Sequence, residues 1–216
     1  VYKKAIENSA DKEVISSVKE PFDAQGGLKL LDGNIGRSVI KTSALKAKDR
    51  VIKAPAKVFY TQEALKEAFK KGELNSDFIA VLPYQGPKSN GMPELHGLMP
   101  SMGALQDSGY HVAIVTDGRM SGASGKVASA IHLSPEAKDG GVIAKIVDGD
   151  MITLNCDDGT LVLEISDAEL EKREIQTPDL SKNTYGVGRE LFSNMRRVVN
   201  SAQEGATIFE VVGEES

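Results

Sequence analysis

The sequence has almost no cysteine: Cys156 is the one thiol in 216 residues. A single cysteine excludes a disulfide within the chain, which fits a reducing compartment, and we expect a cytoplasmic protein. It also excludes an iron–sulfur cluster held by this chain alone, because such clusters are bound by several thiolates. Cys156 ends the strand-like run 151–156, and we interpret it as a buried structural cysteine.

Long hydrophobic runs and an excess of positive charge are also missing. No apolar run approaches the roughly 20 residues that a membrane span needs, and the first residues lack the apolar core of a signal peptide. The net charge of −5 argues against a non-specific nucleic-acid-binding protein, which would carry a basic patch. We therefore expect neither a membrane nor a nucleic acid as partner. Hydrophobic residues at 40% and charged residues at 26% are typical of globular proteins.

The pattern along the chain predicts three parts. Residues 1–27 are polar with scattered apolar positions, and they predict a helix and a linker that follow a missing N-terminal portion. Residues 28–178 predict a folded domain, and residues 179–216 predict a helical tail with an apolar face. Because the sequence begins at Val1 rather than at methionine, we expect a fragment or an excised domain.

Strand-like and helical segments alternate within residues 28–178. The apolar runs 78–82 and 112–115 predict buried strands, and Thr61 is expected to cap a helix. The Asp-Gly turns at 148–150 and 157–159 predict two hairpins, of which the first would join strands 142–147 and 151–154. Together these signals predict a mixed α/β domain with a partly closed sheet.

A glycine-rich loop follows the strand that ends at Thr116. Glycine lets the backbone approach a ligand closely and leaves N–H groups available. The polar side chains of this loop are one carboxylate (Asp117), two cations (Arg119, Lys126) and two hydroxyls (Ser121, Ser124). Such groups can bind an anion or a metal, and they are also typical of a solvated tight turn. The spacing alone leaves both interpretations open.

Four blocks of the sequence resemble one enzyme family. Residues 116–122, TDGRMSG, resemble the TDGRxSG signature of the dehydratase family that contains dihydroxy-acid dehydratase and 6-phosphogluconate dehydratase. Residues 33–37, 86–95 and 132–137 resemble further blocks of that family, in the family's order. Details of 89–96 and 120–126 look like the 6-phosphogluconate branch. The family's enzymes are much longer, so the chain resembles their C-terminal portion.

The resemblance implies a swivelling β/β/α fold, an α/β domain whose barrel-like mixed sheet is flanked by helices. It implies the dehydration of 6-phospho-D-gluconate to 2-dehydro-3-deoxy-6-phosphogluconate and water. Mg²⁺ would hold the substrate carboxylate, and an iron–sulfur cluster with ligands outside this chain would bind the leaving hydroxyl. The implied partners are the sugar-acid phosphate, the N-terminal portion of the same enzyme and a second copy in a homodimer. We expect the chain alone to be inactive.

The resemblance also assigns roles to individual residues. Ser121 matches the family's catalytic base and Glu94 its glutamate ligand of Mg²⁺. If strands 78–82 and 112–115 are neighbours, the loops carrying these two residues emerge at the same edge of the sheet. The candidate substrate-binding residues are Asp117 and Arg119 as support for the loop, Lys126 with Ser124 for the phosphate, and His96 beside Glu94.

Two other functions stay open. A dihydroxy-acid or other aldonic-acid dehydratase would need the same reacting groups but no cation for a phosphate. A non-catalytic small-molecule-binding or assembly module could keep the same loops without a cluster. An upstream segment with cluster cysteines would favour the enzyme.

Overall fold

One mixed sheet of eight strands organises the chain in the computed structural model, which describes residues 2–4, 6–122 and 125–209. The strand order is β1-β2-β6-β5-β4-β3-β7-β8. The strands are β1 (Leu28–Leu31), β2 (Arg37–Lys41), β3 (Val51–Val58), β4 (Phe78–Leu82), β5 (Val112–Thr116), β6 (Ala128–Ser134), β7 (Met151–Asn155) and β8 (Thr160–Leu163). The α-helices are α1 (Gln62–Lys70), α2 (Pro87–Asn90), α3 (Met99–Asp107), α4 (Asp167–Lys172), α5 (Ser181–Thr184) and α6 (Ser193–Val198).

The middle of the sheet is parallel and its outer parts are antiparallel. Strand β4 pairs in parallel with β3 and β5, and β5 pairs in parallel with β6. All five residues of β4 and all five of β5 are buried, as expected for strands covered on both faces. The two predicted strands are therefore confirmed as neighbours, and their carboxyl ends meet at one sheet edge.

The two end strands of the sheet meet and nearly close it. The N–H of Asp32 donates to the carbonyl of Gly159 at 3.0 Å, and the N–H of Leu161 donates to the carbonyl of Asp32 at 3.0 Å. These bonds join the end of β1 to β8. The predicted barrel-like mixed sheet with flanking helices is thus confirmed.

Two hydrophobic cores lie on opposite faces of the curved sheet. The larger core includes Ile40, Ile79, Val115 and Leu154, each 0% exposed. The second core lies beneath α1 and α3 and includes Phe78, Leu98 and Met102. Together the two cores hold the parallel strands, and hence the loops at their carboxyl ends, in fixed relative positions.

Capping residues set the starts of two helices, and the sequence predicts the cap at Thr61. The hydroxyl of Thr61 accepts the N–H of Ala64 at 3.1 Å at the start of α1. Ser166 accepts the N–H of Glu169 at 3.2 Å at the start of α4. The Glu169 carboxylate bonds to Arg173 at 2.8 Å. These caps satisfy N–H groups that would otherwise lack a partner.

The first predicted hairpin is wrong. Residues Val142–Lys145 form a 3-10 turn, with Ile143 and Ala144 buried in the larger core. Strand β7 already pairs with β3 on one side and β8 on the other, so no edge is available for a strand at 142–147. The second predicted hairpin, β7 to β8 through 157–159, is confirmed.

The segments at the two ends of the chain differ in their secondary structure. Within residues 2–4 and 6–27, turns, bends and one bridge between Ser17 and Glu20 occur in place of the expected helix. The tail contains α5, a 3-10 turn at Arg189–Phe192 and α6. Its apolar side chains are largely exposed, Leu191 at 78% and Val198 at 66%. Across the described ranges, no helix is long and apolar enough to cross a membrane.

Candidate active site at the edge of the parallel strands

Two loops meet at the carboxyl ends of β4 and β5. Leu82 and Thr116 are register partners at the ends of these strands. The Thr116 hydroxyl donates to the carbonyl of Leu82 at 2.7 Å and accepts the N–H of Gly118 at 3.0 Å. Crevices at the carboxyl ends of parallel strands are where open α/β proteins bind ligands. The sequence-predicted site residues Glu94 and Ser121 lie on these two loops.

The Glu94 carboxylate connects the two loops. Its Oε1 accepts the N–H of Ser121 at 2.8 Å and the N–H of His96 at 2.9 Å. Its Oε2 accepts Nη1 of Arg119 at 2.9 Å. Arg119 Nε also donates to the carbonyl of Met92 at 2.8 Å. The structure thus brings together Glu94, His96, Arg119 and Ser121, four of the residues that the sequence singles out.

The electrostatics of this cluster favour an ionised Glu94. Partial burial acts to raise the pKa of Glu94, but the N–H groups of Ser121 and His96 and the charge of Arg119 hold that pKa below its ordinary value. The carboxylate side chain is 38% exposed. A negative charge is therefore present at neutral pH at the open edge of the loops, directly beside Ser121.

Asp117 supports the loops from inside the protein. Its carboxylate is 0% exposed and accepts N–H groups from Tyr84 at 3.1 Å, Gln85 at 2.8 Å and Ala137 at 2.9 Å. Burial raises the pKa of Asp117 to about 6, against the effect of these N–H donors. The residue joins three loops, and its complete burial leaves no exposed face for a ligand.

Glu136 is a second buried carboxylate at this edge. It is 3% exposed and accepts the N–H of Lys88 at 2.9 Å at the start of α2. Burial raises its pKa to about 7, and the nearby charge of Asp117 adds to the rise. A Cβ at Gly86 would lie 2.1 Å from a Glu136 oxygen, so glycine is required there. Glu136 carries no prediction from the sequence, although it lies in one of the four resembling blocks.

The structure does not bring Lys126 into the cluster. Its Nζ contacts both carboxylate oxygens of Asp107 at 2.7 Å, on the side of α3. Lys41 instead donates to the carbonyl of Gly122, from a strand on which no site residue was predicted. Ser124 lies outside the described residues.

Two cavities flank the Glu94–Arg119 pair. One, of 190 Å³, is lined by Ser121, Gly122, Lys41 and His132. The other, of 470 Å³, is lined by Arg119 together with Asn90, Arg189 and Arg196. The arginines of the tail carried no site prediction, because a basic residue on an amphipathic tail gives no local signal of a binding site.

Among the residues that the structure describes, Glu94 fits the role of one ligand of a magnesium ion. Glu94 Oε2 accepts only Arg119 among its described contacts, and a carboxylate oxygen has two lone pairs, so it can accept one further partner. Across the described ranges, no group of three or more His, Cys, Asp or Glu side chains could hold a metal ion. Further carboxylate ligands for Mg²⁺ would therefore come from outside this part of the chain.

An iron–sulfur cluster does not fit the thiol of this chain. Cys156 is 0% exposed, and burial raises its pKa to about 11. Thiolates bind such clusters, and one buried thiol cannot hold one. The structure therefore supports the interpretation of Cys156 as a structural strand-end cysteine.

The fold and the loop cluster define a class: a barrel-like α/β domain that offers a serine, a carboxylate and an arginine at one sheet edge. Residues 13–206 match the family model described as dihydroxy-acid/6-phosphogluconate dehydratase C-terminal. The chain belongs to this family.

Individual relatives agree with the family match. The chain is 54% identical to a phosphogluconate dehydratase of Helicobacter pylori (strain J99) over 97% of its length, and 52% identical to that of Escherichia coli (strain K12) over 95%. A dihydroxy-acid dehydratase of Acetivibrio thermocellus is 36% identical over 94%. These matches cover 35%, 34% and 37% of the respective relatives. The chain thus spans about a third of the length of the curated relatives it matches.

Proposed function

We propose that this chain is the C-terminal part of an enzyme that dehydrates 6-phospho-D-gluconate to 2-dehydro-3-deoxy-6-phosphogluconate. The observation that carries the proposal is the hydrogen bond between Glu94 and the N–H of Ser121, which links two family motifs at one sheet edge. The phosphogluconate dehydratases at 48–54% identity favour this substrate over that of the relative at 36%. The enzyme is expected to work in the cytoplasm as a homodimer.

In the proposed reaction, Ser121 is the base that removes the proton at C2 of the sugar acid. The ionised Ser121 oxygen takes this proton and becomes a hydroxyl, the C3 hydroxyl leaves as water with a proton from solvent, and the resulting enol tautomerises to the 2-keto product. A serine is a weak base unless its anion is stabilised, so cationic and N–H groups must lie nearby. Lys41 and Arg119 lie at the two ends of the loop segment that carries Ser121.

Glu94 is assigned two tasks. Its carboxylate fixes the Ser121 segment through the backbone, and it would give one oxygen to Mg²⁺, which would hold the substrate carboxylate. Arg119 shares that carboxylate at 2.9 Å and sets its orientation. The iron–sulfur cluster expected from the family needs several thiolates, and this chain has one cysteine. Its ligands are therefore assigned to another part of the enzyme.

The test compares the chain with the full-length enzyme under the same conditions. The isolated chain, supplied with Mg²⁺, iron and sulfide, should give no detectable product from 6-phosphogluconate, whereas the full-length enzyme should turn it over. Turnover by the chain alone would refute the division of the site between two portions.

Substrate choice separates the alternatives. A full-length enzyme that prefers a dihydroxy acid or an unphosphorylated aldonic acid would be the alternative dehydratase, whose substrate carries no phosphate. An enzyme without turnover of any of these acids, although it binds them, would indicate a binding or assembly module.

A further inference from the structure

The cavity of 470 Å³ has the composition of a site for an anion. It lies between the loop after β4 and the tail, and its volume is within the roughly 300–1,000 Å³ of small-molecule pockets. Arg119, Arg189 and Arg196 line it together with Asn90. The apolar residues Phe192 and Met195 form part of the wall. The three positive charges attract an anion.

Two of these guanidinium groups have no carboxylate partner in the described part of the chain. Four arginines there are partly buried: Arg50, Arg173, Arg189 and Arg196. Arg50 pairs with Asp157 at 2.6 Å, and Arg173 pairs with Asp150 and Glu169. Within the residues that the structure describes, Arg189 and Arg196 instead contact only neutral oxygens. Because a partly buried cation without an anion is costly, these two arginines indicate an anion that arrives from outside.

Neighbouring groups hold both arginines in place. Nη1 of Arg189 donates to Oδ1 of Asn90 at 2.9 Å, and the amide of Asn90 donates to Gln85 at 3.0 Å. Gln85 in turn donates its N–H to the buried carboxylate of Asp117 at 2.8 Å. Nη2 of Arg196 contacts the carbonyl of Thr184 at 3.4 Å. A guanidinium has five N–H donors, so most of them remain for a ligand.

The cavity adjoins the proposed reacting centre. Arg119 lines it and also bonds to Glu94, whose other oxygen holds the Ser121 segment. We expect a sugar acid with its C2 proton at Ser121 to extend past Arg119 toward this cavity. The phosphate is at the opposite end of the same carbon chain.

We propose that Arg189 and Arg196, with Asn90 positioning Arg189, bind the phosphate group of the substrate. This inference rests on the proposed function and names the residues that discriminate phosphorylated from unphosphorylated acids. Arginine suits the role because its planar fork binds two phosphate oxygens at once. Lys126, the candidate from the sequence, already contacts both oxygens of Asp107.

The experiment measures discrimination in the full-length enzyme. The variants Arg189→Ala, Arg196→Ala and the double variant are assayed with 6-phosphogluconate and with gluconate. Each single variant should lower the ratio of kcat/KM for 6-phosphogluconate to that for gluconate by roughly 10- to 100-fold, the loss expected for charge-assisted hydrogen bonds. Arg189→Lys and Arg196→Lys should each keep part of the ratio that the alanine variant loses, because lysine keeps the charge without the planar fork.

The matched control is Arg197→Ala. Arg197 neighbours Arg196 in α6 but is exposed and does not line the cavity. It should change the ratio by less than about three-fold, in line with the small effect of an exposed charge. Equal losses of kcat/KM for both substrates in the Arg189 and Arg196 variants would overturn the proposal and indicate a structural role. A loss of discrimination in Lys126→Ala instead would also overturn it.

A binding measurement separates this proposal from the proposed function. Inorganic phosphate should bind the wild-type enzyme, measured by equilibrium dialysis, and the double variant should bind it at least roughly 10-fold more weakly. If the wild-type enzyme turns over neither acid but phosphate binding still depends on these arginines, the proposed reaction fails and the anion site stands. If 6-phosphogluconate is dehydrated but neither readout responds to the arginines, the site fails and the reaction stands.

Discussion

The carboxylate of Glu94 and the backbone N–H of Ser121 are 2.8 Å apart, although 27 residues separate them in the sequence. This contact, together with the bonds from Arg119 to Glu94 and to the carbonyl of Met92, fixes the position of the Ser121 segment relative to the loop after β4. It depends on the parallel pairing of β4 with β5, which brings both loops to one edge. A substitution on one loop should therefore alter the reaction step that is assigned to a residue of the other loop.

The first prediction concerns Ser121. In the full-length enzyme, Ser121→Ala should lower kcat for 6-phosphogluconate by at least about 100-fold with little change in KM, because a positioned base is lost. Ser76→Ala, at an exposed serine away from both loops, serves as the control and should keep full activity. A kcat within a few-fold of the wild type would remove Ser121 from the reaction.

The second prediction concerns Glu94. Glu94→Gln keeps an oxygen for the N–H of Ser121 but removes the charge that would bind Mg²⁺ and that pairs with Arg119. The Mg²⁺ concentration for half-maximal activity should rise by roughly 10-fold or more, since a hard cation prefers carboxylate oxygen. Titration with Mg²⁺ after chelation of the enzyme measures this, with Glu73→Gln at an exposed site as control. An unchanged Mg²⁺ requirement would show that Glu94 does not bind Mg²⁺ and only holds Arg119 and the loop in position.

The third prediction concerns the space at Gly118. A Cβ there would lie 2.7 Å from Cβ of Gln85 and 3.2 Å from Cδ1 of Leu95. Gly118→Ala should lower the free energy of unfolding by about 1–3 kcal/mol through overpacking. A Cβ at Gly122 meets no atom of the described residues within 4 Å, so Gly122→Ala should change stability by less than about 1 kcal/mol. Urea unfolding of the two variants compares them directly, and equal stabilities would contradict the packing argument.

The fourth prediction concerns Glu136 and pH. Its pKa is about 7 in the folded chain against an ordinary 4.5, because burial and the charge of Asp117 disfavour ionisation. The folded chain therefore binds the proton more tightly than the unfolded chain, and the contribution of Glu136 to stability is lost as pH rises from about 4.5 to 7.

Urea unfolding of the wild type and Glu136→Gln across this range measures that loss. The wild type should lose roughly 1–3 kcal/mol of stability relative to the variant between pH 4.5 and 7. Asp117, Asp139 and Lys88 are present in both proteins, so their contributions to the pH dependence of stability largely cancel in the difference. A difference that does not vary with pH would show that Glu136 titrates as an ordinary exposed glutamate.

The sequence predicts the parts of the fold that local pattern determines. The apolar runs of β4 and β5 and the Thr61 cap were expected, because burial and capping leave a clear local signal. The apolar run at 142–147 gave a misleading signal. A run of that length suits a strand or a buried turn equally, and the pairing of β7 with β3 and β8 decided the outcome.

The candidate site divides in the same way. The proximity of Glu94 and Ser121 follows from two neighbouring parallel strands, so it could be predicted. The direction of Lys126 depends on Asp107 in α3, a tertiary contact that no motif encodes. Arg189 lies near Asn90 although 99 residues separate them, and only the folded tail brings the pair together.

The bonds between Asp32, Gly159 and Leu161 have a consequence for solubility. A sheet whose end strands meet offers few unpaired backbone groups to a second molecule, and open edges are templates for aggregation. A shortened chain that begins after residue 33 would lose β1 and uncover an edge of both β2 and β8. Such a chain would keep every residue assigned to the reaction and yet be expected to aggregate. The short first strand therefore protects the domain against self-association through exposed strand edges.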